Sequence, residues 1–199
     1  RSGKEDVYCI SVHDEDKYFI CNGVVTHNCL EVLHPTVASE KWNDENAYIG
    51  VCILAGINAL YVKDDEFEEV CEIAVRQLDN LISYQTYFDK AAENFATKYR
   101  SLAIGTLNFA ALLASLKVSY DSEEAPKIAA RLAEKISYYT IKASIKLAAE
   151  RGKFEFFDKT KWSHGELPID RYCKNVDSFI GSPELDWESL RDRKSGSAG

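Results

Sequence analysis

Three consecutive residues, His27-Asn28-Cys29, combine side chains that can break and remake a peptide bond. An asparagine amide can attack its own backbone carbonyl, closing a succinimide and severing the link to the next residue. A histidine just before it can hydrogen-bond that carbonyl. The cysteine that follows is a nucleophile with a usable thiolate fraction near neutral pH. A second chemistry overlaps the first. Cys29 has a carboxylate two residues on, Glu31, and a further thiol, Cys52, sits within the apolar run 49–60. Two thiols and a carboxylate suit redox chemistry coupled to proton transfer. Taken alone, Cys52 reads first as a small buried apolar residue.

The elements that must position these groups change character along the chain. Residues 7–12 (Val-Tyr-Cys-Ile-Ser-Val) and 18–21 (Tyr-Phe-Ile-Cys) read as strands separated by a charged turn, and Asn22-Gly23 is a strong hairpin signal leading into a further strand, 24–26. From Glu31 the texture reads as helical, with a loop at Pro35 and a polar stretch over 39–46. The run 49–60, with Gly50 and Gly56 inside it, fits a buried strand or a packed helix. Phe67, Val70, Cys71, Ala74, Val75, Leu78, Leu81 and Ile82 recur at three and four and predict a helix over 64–84, with Cys71 on its core stripe. A loop over 85–97, a helix over 102–116 interrupted at Gly105, and a helix over 123–150 with Pro126 in its first turn and Gly152 past its end follow. Beyond 153 the chain is aromatic and looped, with a short amphipathic piece after Pro168 and a tail over 194–199 that has nothing to bury. Cys173, His34 and His164 read as loop or surface residues. Tyr84, Tyr87, Tyr138 and Tyr139 read as packing aromatics.

Composition narrows the classes. The 199 residues are 46% hydrophobic and 28% charged, which excludes collagen, disorder and a short disulfide scaffold. The absence of methionine reads as a piece or processed product of a longer chain. No 18-residue apolar run predicts a membrane span, and residues 1–6 lack the apolar centre of a signal peptide, so the expected location is cytoplasmic. A net charge of -8 without a basic block argues against a nucleic-acid partner. The six cysteines form no C-x-x-C pair and have no histidine at ligand spacing, so no metal site is expected.

Residues 7–29 resemble the C-terminal end of an intein: Val7-Tyr8-x-Ile10-x-Val12, then Phe19-Ile20-x-Asn22-Gly23-x-x-x-His27-Asn28 followed by Cys29. The resemblance implies that Asn28 cyclises, His27 assists, and Cys29 accepts the upstream chain by transesterification. Two positions depart from the family pattern: Cys9 stands where an aspartate is usual, and Lys17 where a histidine is common. The amino-terminal half of an intein is not among these residues, so this segment is either one half of a split intein that joins an upstream partner fragment in trans or the end of a longer precursor.

Residues 29–191 resemble the large catalytic subunit of class I ribonucleotide reductase. The resemblance rests on Cys29-Leu30-Glu31-Val32, Val51-Cys52-Ile-Leu, Ala74-Val-Arg-Gln-Leu-Asp79, Tyr84-Gln-Thr-Tyr87, Leu102-Ala-Ile-Gly105-Thr-Leu-Asn-Phe109, Leu167-Pro-Ile-Asp170 and Asp186-Trp187-Glu188, in that order. It implies an α/β fold: a partial, mostly helical piece of an α/β barrel (29–193), preceded by a short β segment of an all-β intein (1–28) and followed by a tail or junction (194–199). By the same resemblance Cys29 becomes the thiyl radical that takes hydrogen from C3′ of the ribose, and Glu31 accepts the 3′-hydroxyl proton. Cys52 is one of two cysteines that reduce the 2′ position and end as a disulfide, and Cys29, Leu30 and Glu31 border the substrate. Implied partners are a ribonucleoside diphosphate substrate, a small subunit whose di-metal centre supplies the radical, and thioredoxin or glutaredoxin. No cofactor is expected on this piece itself; ATP and dNTP effectors would bind elsewhere in the full protein. The competing readings are a noncatalytic helical interaction module and the cobalamin-dependent class of the same reductase.

Overall fold

A computed structural model describes residues 34–171 and 183–191 and, as backbone, two further strands. These are β1 (Tyr18–Cys21) and β2 (Val24–His27), paired antiparallel with Cys21 opposite Val24 and Tyr18 opposite His27. That pairing is the hairpin predicted around Asn22-Gly23. The strand expected over 7–12 and the tail over 194–199 lie outside the described residues.

The central unit is strand–helix–helix–strand. β3 (Ile53–Asn58) runs parallel to β4 (Leu102–Leu107), in register from Ile53 opposite Leu102 to Asn58 opposite Leu107. Parallel neighbours need a crossover of a dozen or more residues, here α1 (Phe67–Tyr84) and α2 (Lys90–Tyr99). The pair of parallel strands bears out the α/β class, and β3 resolves the ambiguity of the run 49–60 in favour of a strand. Gly56 is required where it stands: a Cβ there would lie 2.7 Å from the Leu107 side chain.

Two sequence expectations change. The loop expected over 85–97 is largely α2, capped by Asp89, whose carboxylate accepts from the Ala91 N–H at 2.8 Å. Its buried stripe is Ala91, Ala92, Phe95 and Ala96, small side chains whose periodicity is faint beside that of leucines. The helix expected over 102–116 is instead β4 followed by α3 (Phe109–Ser115), with Asn108 in the left-handed region (φ 61°) between them. The partner that makes 102–107 a strand is some fifty residues upstream, beyond the reach of local periodicity. The loop expected at Pro35 and the polar stretch over 39–46 are loop and turns, closed by a bridge between Val37 and Tyr48, and the helical texture begins only at α1.

α1 and α4 (Glu124–Arg151) form the helical layer as predicted, and α4 ends at Gly152 with φ 88°. The stripe Phe67, Cys71, Val75, Leu78 and Ile82 is buried; Phe67 and Cys71 meet Ile57, Leu132 and Ile136 in one cluster, and Val75 meets Ala143 and Leu147 in another. Lys142–Glu68, Lys146–Glu72 and Arg76–Glu150 pairs join the two helices along their outer edge. Exposed pairs contribute about 0–1 kcal/mol each, whereas one fully buried large apolar side chain contributes about 1.5–3 kcal/mol, so packing decides the association. Tyr138 is buried as expected, but Tyr84 is 91% exposed and packs nothing. Among the described residues no helix is long and apolar enough to cross a membrane.

The segment 184–190 returns to α4 through one carboxylate. Glu134 accepts from the backbone N–H groups of Glu184 and Leu185 at 2.9 Å each and from the Trp187 indole N–H at 3.1 Å. It thereby seats Trp187 and Leu190 among Tyr138, Ile145 and Leu167. Charge-assisted bonds carry about 1.5–3 kcal/mol each but are not additive. Glu134→Ala is therefore expected to cost about 2 kcal/mol, read as a lower urea midpoint at unchanged slope.

Candidate active site

Of the residues singled out for chemistry, Cys52 is within the described structure. It is reduced and half-buried, immediately before β3. The strand's backbone is fixed at that end by the Ile53 N–H donating to Ser101 O at 3.3 Å, the point where the ladder with β4 begins. His27 is the last residue of β2, seen as backbone. Asn28, Cys29, Leu30 and Glu31 lie outside the described residues.

What links the two cysteine regions is a strap, residues 34–50, fastened to α2. The Ile49 N–H donates to Ala91 O at 3.2 Å, the Asn94 side-chain amide donates to Glu45 O at 2.8 Å and Ala47 O at 3.3 Å, and the Lys90 N–H donates to Asn43 Oδ1 at 3.2 Å. Within the strap the Asp44 carboxylate accepts from the Asn46 N–H at 3.0 Å and the Glu40 N–H at 3.1 Å, which holds it below the usual carboxylate range. At the head of the strap the His34 ring lies against Phe95, 4.8 Å between centroids and tilted 58°. Gly50 makes this approach possible, since a Cβ there would stand 2.5 Å from His34 Cβ. His34 Nε2 is buried with no partner among the described residues, and burial pushes the ring's pKa down. His34 lies on a loop as expected, half-buried against Phe95, five positions after Cys29.

The other described thiol behaves differently. Cys71 is wholly buried in the α1 stripe, and burial pushes its pKa up to about 11, so its thiolate is scarce at neutral pH. Cys52, by contrast, is half-buried immediately before β3. Beside it, the outer face of the two strands exposes Leu54 (66%) and Leu107 (53%), apolar surface on a sheet of two strands. Sequence reasoning missed the anchoring residues Asp44, Asn94 and Asp89. Only the Asp44-x-Asn46 spacing, a turn signature, offered a local hint.

Residues 23–197 match the family model described as ribonucleotide reductase, barrel domain. The chain belongs to the ribonucleotide reductase barrel-domain family. A ribonucleoside-diphosphate reductase subunit alpha of Haemophilus influenzae is 43% identical over 165 residues, covering 82% of this chain and 22% of the relative. One of Enterobacteria phage T4 is 43% identical over 169 residues, with the same shares covered. That of Chlamydia trachomatis is 35% identical over 155 residues, covering 71% of this chain and 15% of its own. The chain thus spans about a fifth of the length of the first two. In a reductase barrel domain of this kind, β3 and β4 are a pair of parallel strands with helices on one face, and Cys52 stands at the entry of one of them.

Proposed function

We propose that residues 29–193 are the part of a class I ribonucleoside-diphosphate reductase large chain that carries the radical cysteine and one reducing cysteine. The barrel-domain match over 23–197, which takes in Cys29, Glu31 and Cys52, carries this reading. Cys29, as a thiyl, takes hydrogen from C3′ of the substrate ribose while Glu31 accepts the 3′-hydroxyl proton. Cys52 and a second cysteine supplied from upstream sequence reduce the 2′ position and are left as a disulfide, which a thioredoxin or glutaredoxin reduces again. The radical comes from a separate small subunit with a di-metal centre, and effector nucleotides bind outside this piece. The strap anchored on α2 fixes the chain that leads into Cys52, which supports the reading because a reducing thiol must be held in place and shielded from water.

The same reading gives residues 1–28 a role in protein splicing, supported by the His27-Asn28-Cys29 sequence, whose His27 is the last residue of the β1–β2 hairpin. Asn28 closes on its own carbonyl with help from His27, and Cys29 receives the upstream chain, so that one thiol serves ligation first and radical chemistry afterwards. Both roles are tested by mixing the chain with an upstream reductase fragment that carries an amino-terminal intein half. Mass spectrometry is expected to show a ligated product that begins its downstream part at Cys29. Asn28→Ala abolishes release at the 28/29 bond, and Cys29→Ser in the ligated product abolishes deoxyribonucleotide formation. Absence of ligation with the wild-type residues sinks the splicing role; a ligated, folded and complete product without reductase activity sinks the other.

A further inference from the structure

We propose that a cavity of about 350 Å³ between α1, the C-terminal ends of α2 and α4, and the segment after α4 binds the phosphate group of a small molecule. Its charged lining is Asp79, Arg100, Arg151, Lys153 and Glu155. Two guanidinium groups share one carboxylate. Arg100 Nε donates to Asp79 Oδ1 at 2.7 Å, and Arg151 Nη1 donates to Asp79 Oδ2 at 2.6 Å. One positive charge of the two is left without a counter-ion in the group. The other carboxylates are already engaged: Asp158 pairs with Lys153 at 2.8 Å, Glu155, itself in the cavity lining, stands 3.8 Å from Lys98, and Glu150, close enough to Arg151 to feel its charge, is held by both terminal nitrogens of Arg76.

The donors are also incompletely used. Arg100 spends Nη2 on Asp79 O at 2.8 Å and on Ser83 Oγ at 3.3 Å, and Arg151 spends Nη1 again on Asn80 Oδ1 at 2.8 Å. Arg100 Nη1 and Arg151 Nε and Nη2 have no acceptor among the described residues. A guanidinium is a rigid planar fork. Asp79 therefore fixes one edge of each arginine and leaves the remaining donors to an oxyanion, which favours the paired N–H groups of arginine. Arg100 holds this position from a left-handed backbone (φ 50°) at the end of α2, a conformation that costs a non-glycine residue about 1–2 kcal/mol. A plain helix terminus at that place is met at less cost by glycine or asparagine.

The test titrates inorganic phosphate into the 199-residue chain at constant ionic strength, following 31P line width and thermal unfolding, with acetate as the control anion. Saturable binding is expected, with a rise in Tm of about 2 °C or more at saturation, and no such rise with acetate. Arg151→Gln leaves the Asp79–Arg100 pair intact and is expected to weaken phosphate binding at least tenfold. Lys153→Gln, at the rim, provides a second variant with little risk to folding and a smaller loss. No saturable binding by the wild-type chain, or binding unchanged in Arg151→Gln, overturns the proposal and leaves the two arginines as helix-end caps.

Discussion

Replacing Cys52 by serine in the complete reductase is expected to lower multiple-turnover deoxyribonucleotide formation by about 1,000-fold or more, a loss typical of removing a covalently acting group. Serine has nearly the same shape and can keep the backbone geometry at the start of β3, but its hydroxyl cannot give up an electron and proton to become half of a disulfide. Folding should be nearly untouched, because Cys52 is half-buried and outside the buried clusters. The comparison is Cys71→Ser, which places a hydroxyl in the wholly buried α1 stripe. That variant is expected to lose stability while keeping turnover per folded molecule, since its thiol is held protonated with a pKa of about 11. The sign of that shift matters: the buried neutral thiol favours the folded state most below the thiol's unfolded pKa, and this contribution fades as pH rises toward 11. If Cys52→Ser retained a tenth of the activity, Cys52 would be a packing residue like Cys71 and the assignment of a reducing cysteine would fall.

How much of this was visible before folding depends on the distance over which each signal acts. α1 and α4 announce themselves because large apolar residues repeat every three or four positions, and the ends of α4 carry local signals, Pro126 and Gly152. The β1–β2 pairing follows from a two-residue turn signal. By contrast β4 looks helical on its own, since Leu102-Ala-Ile-Gly-Thr-Leu becomes a strand only through its ladder with residues 53–58. α2 was lost for a different reason: its buried face is mostly alanine, and its hold on the strap 34–50 uses backbone carbonyls that no side-chain pattern reveals. The residue types of the candidate site were readable from His27, Asn28, Cys29, Glu31 and Cys52. The anchoring of Cys52 relative to the strap was not, because it depends on Asn94 and Asp44 meeting backbone groups across long sequence separations or within an irregular loop.

Asp79 offers the largest expected effect on the fold itself. It is 7% exposed, lies on α1, and accepts from Arg100 at the end of α2 and Arg151 at the end of α4, so three helices meet at one carboxylate. Removing one partner of a buried ionic group leaves the others desolvated and unpaired, at a cost of about 3–5 kcal/mol. Arg151 keeps 43% of its side chain exposed and can turn toward water. The lower end, about 3 kcal/mol, is therefore expected for Asp79→Ala. Asp79→Asn keeps an acceptor for one guanidinium but loses the charge and should fall between the wild type and Asp79→Ala. The exposed Arg76–Glu150 pair is the contrast: Glu150→Ala removes a bidentate contact at the surface and should cost about 1 kcal/mol or less. Urea unfolding of the three variants measures the order directly. A cost below about 1 kcal/mol for Asp79→Ala would mean that the apolar stripes of α1 and α4 alone set the helix arrangement, with the carboxylate contributing no more than a surface ion pair.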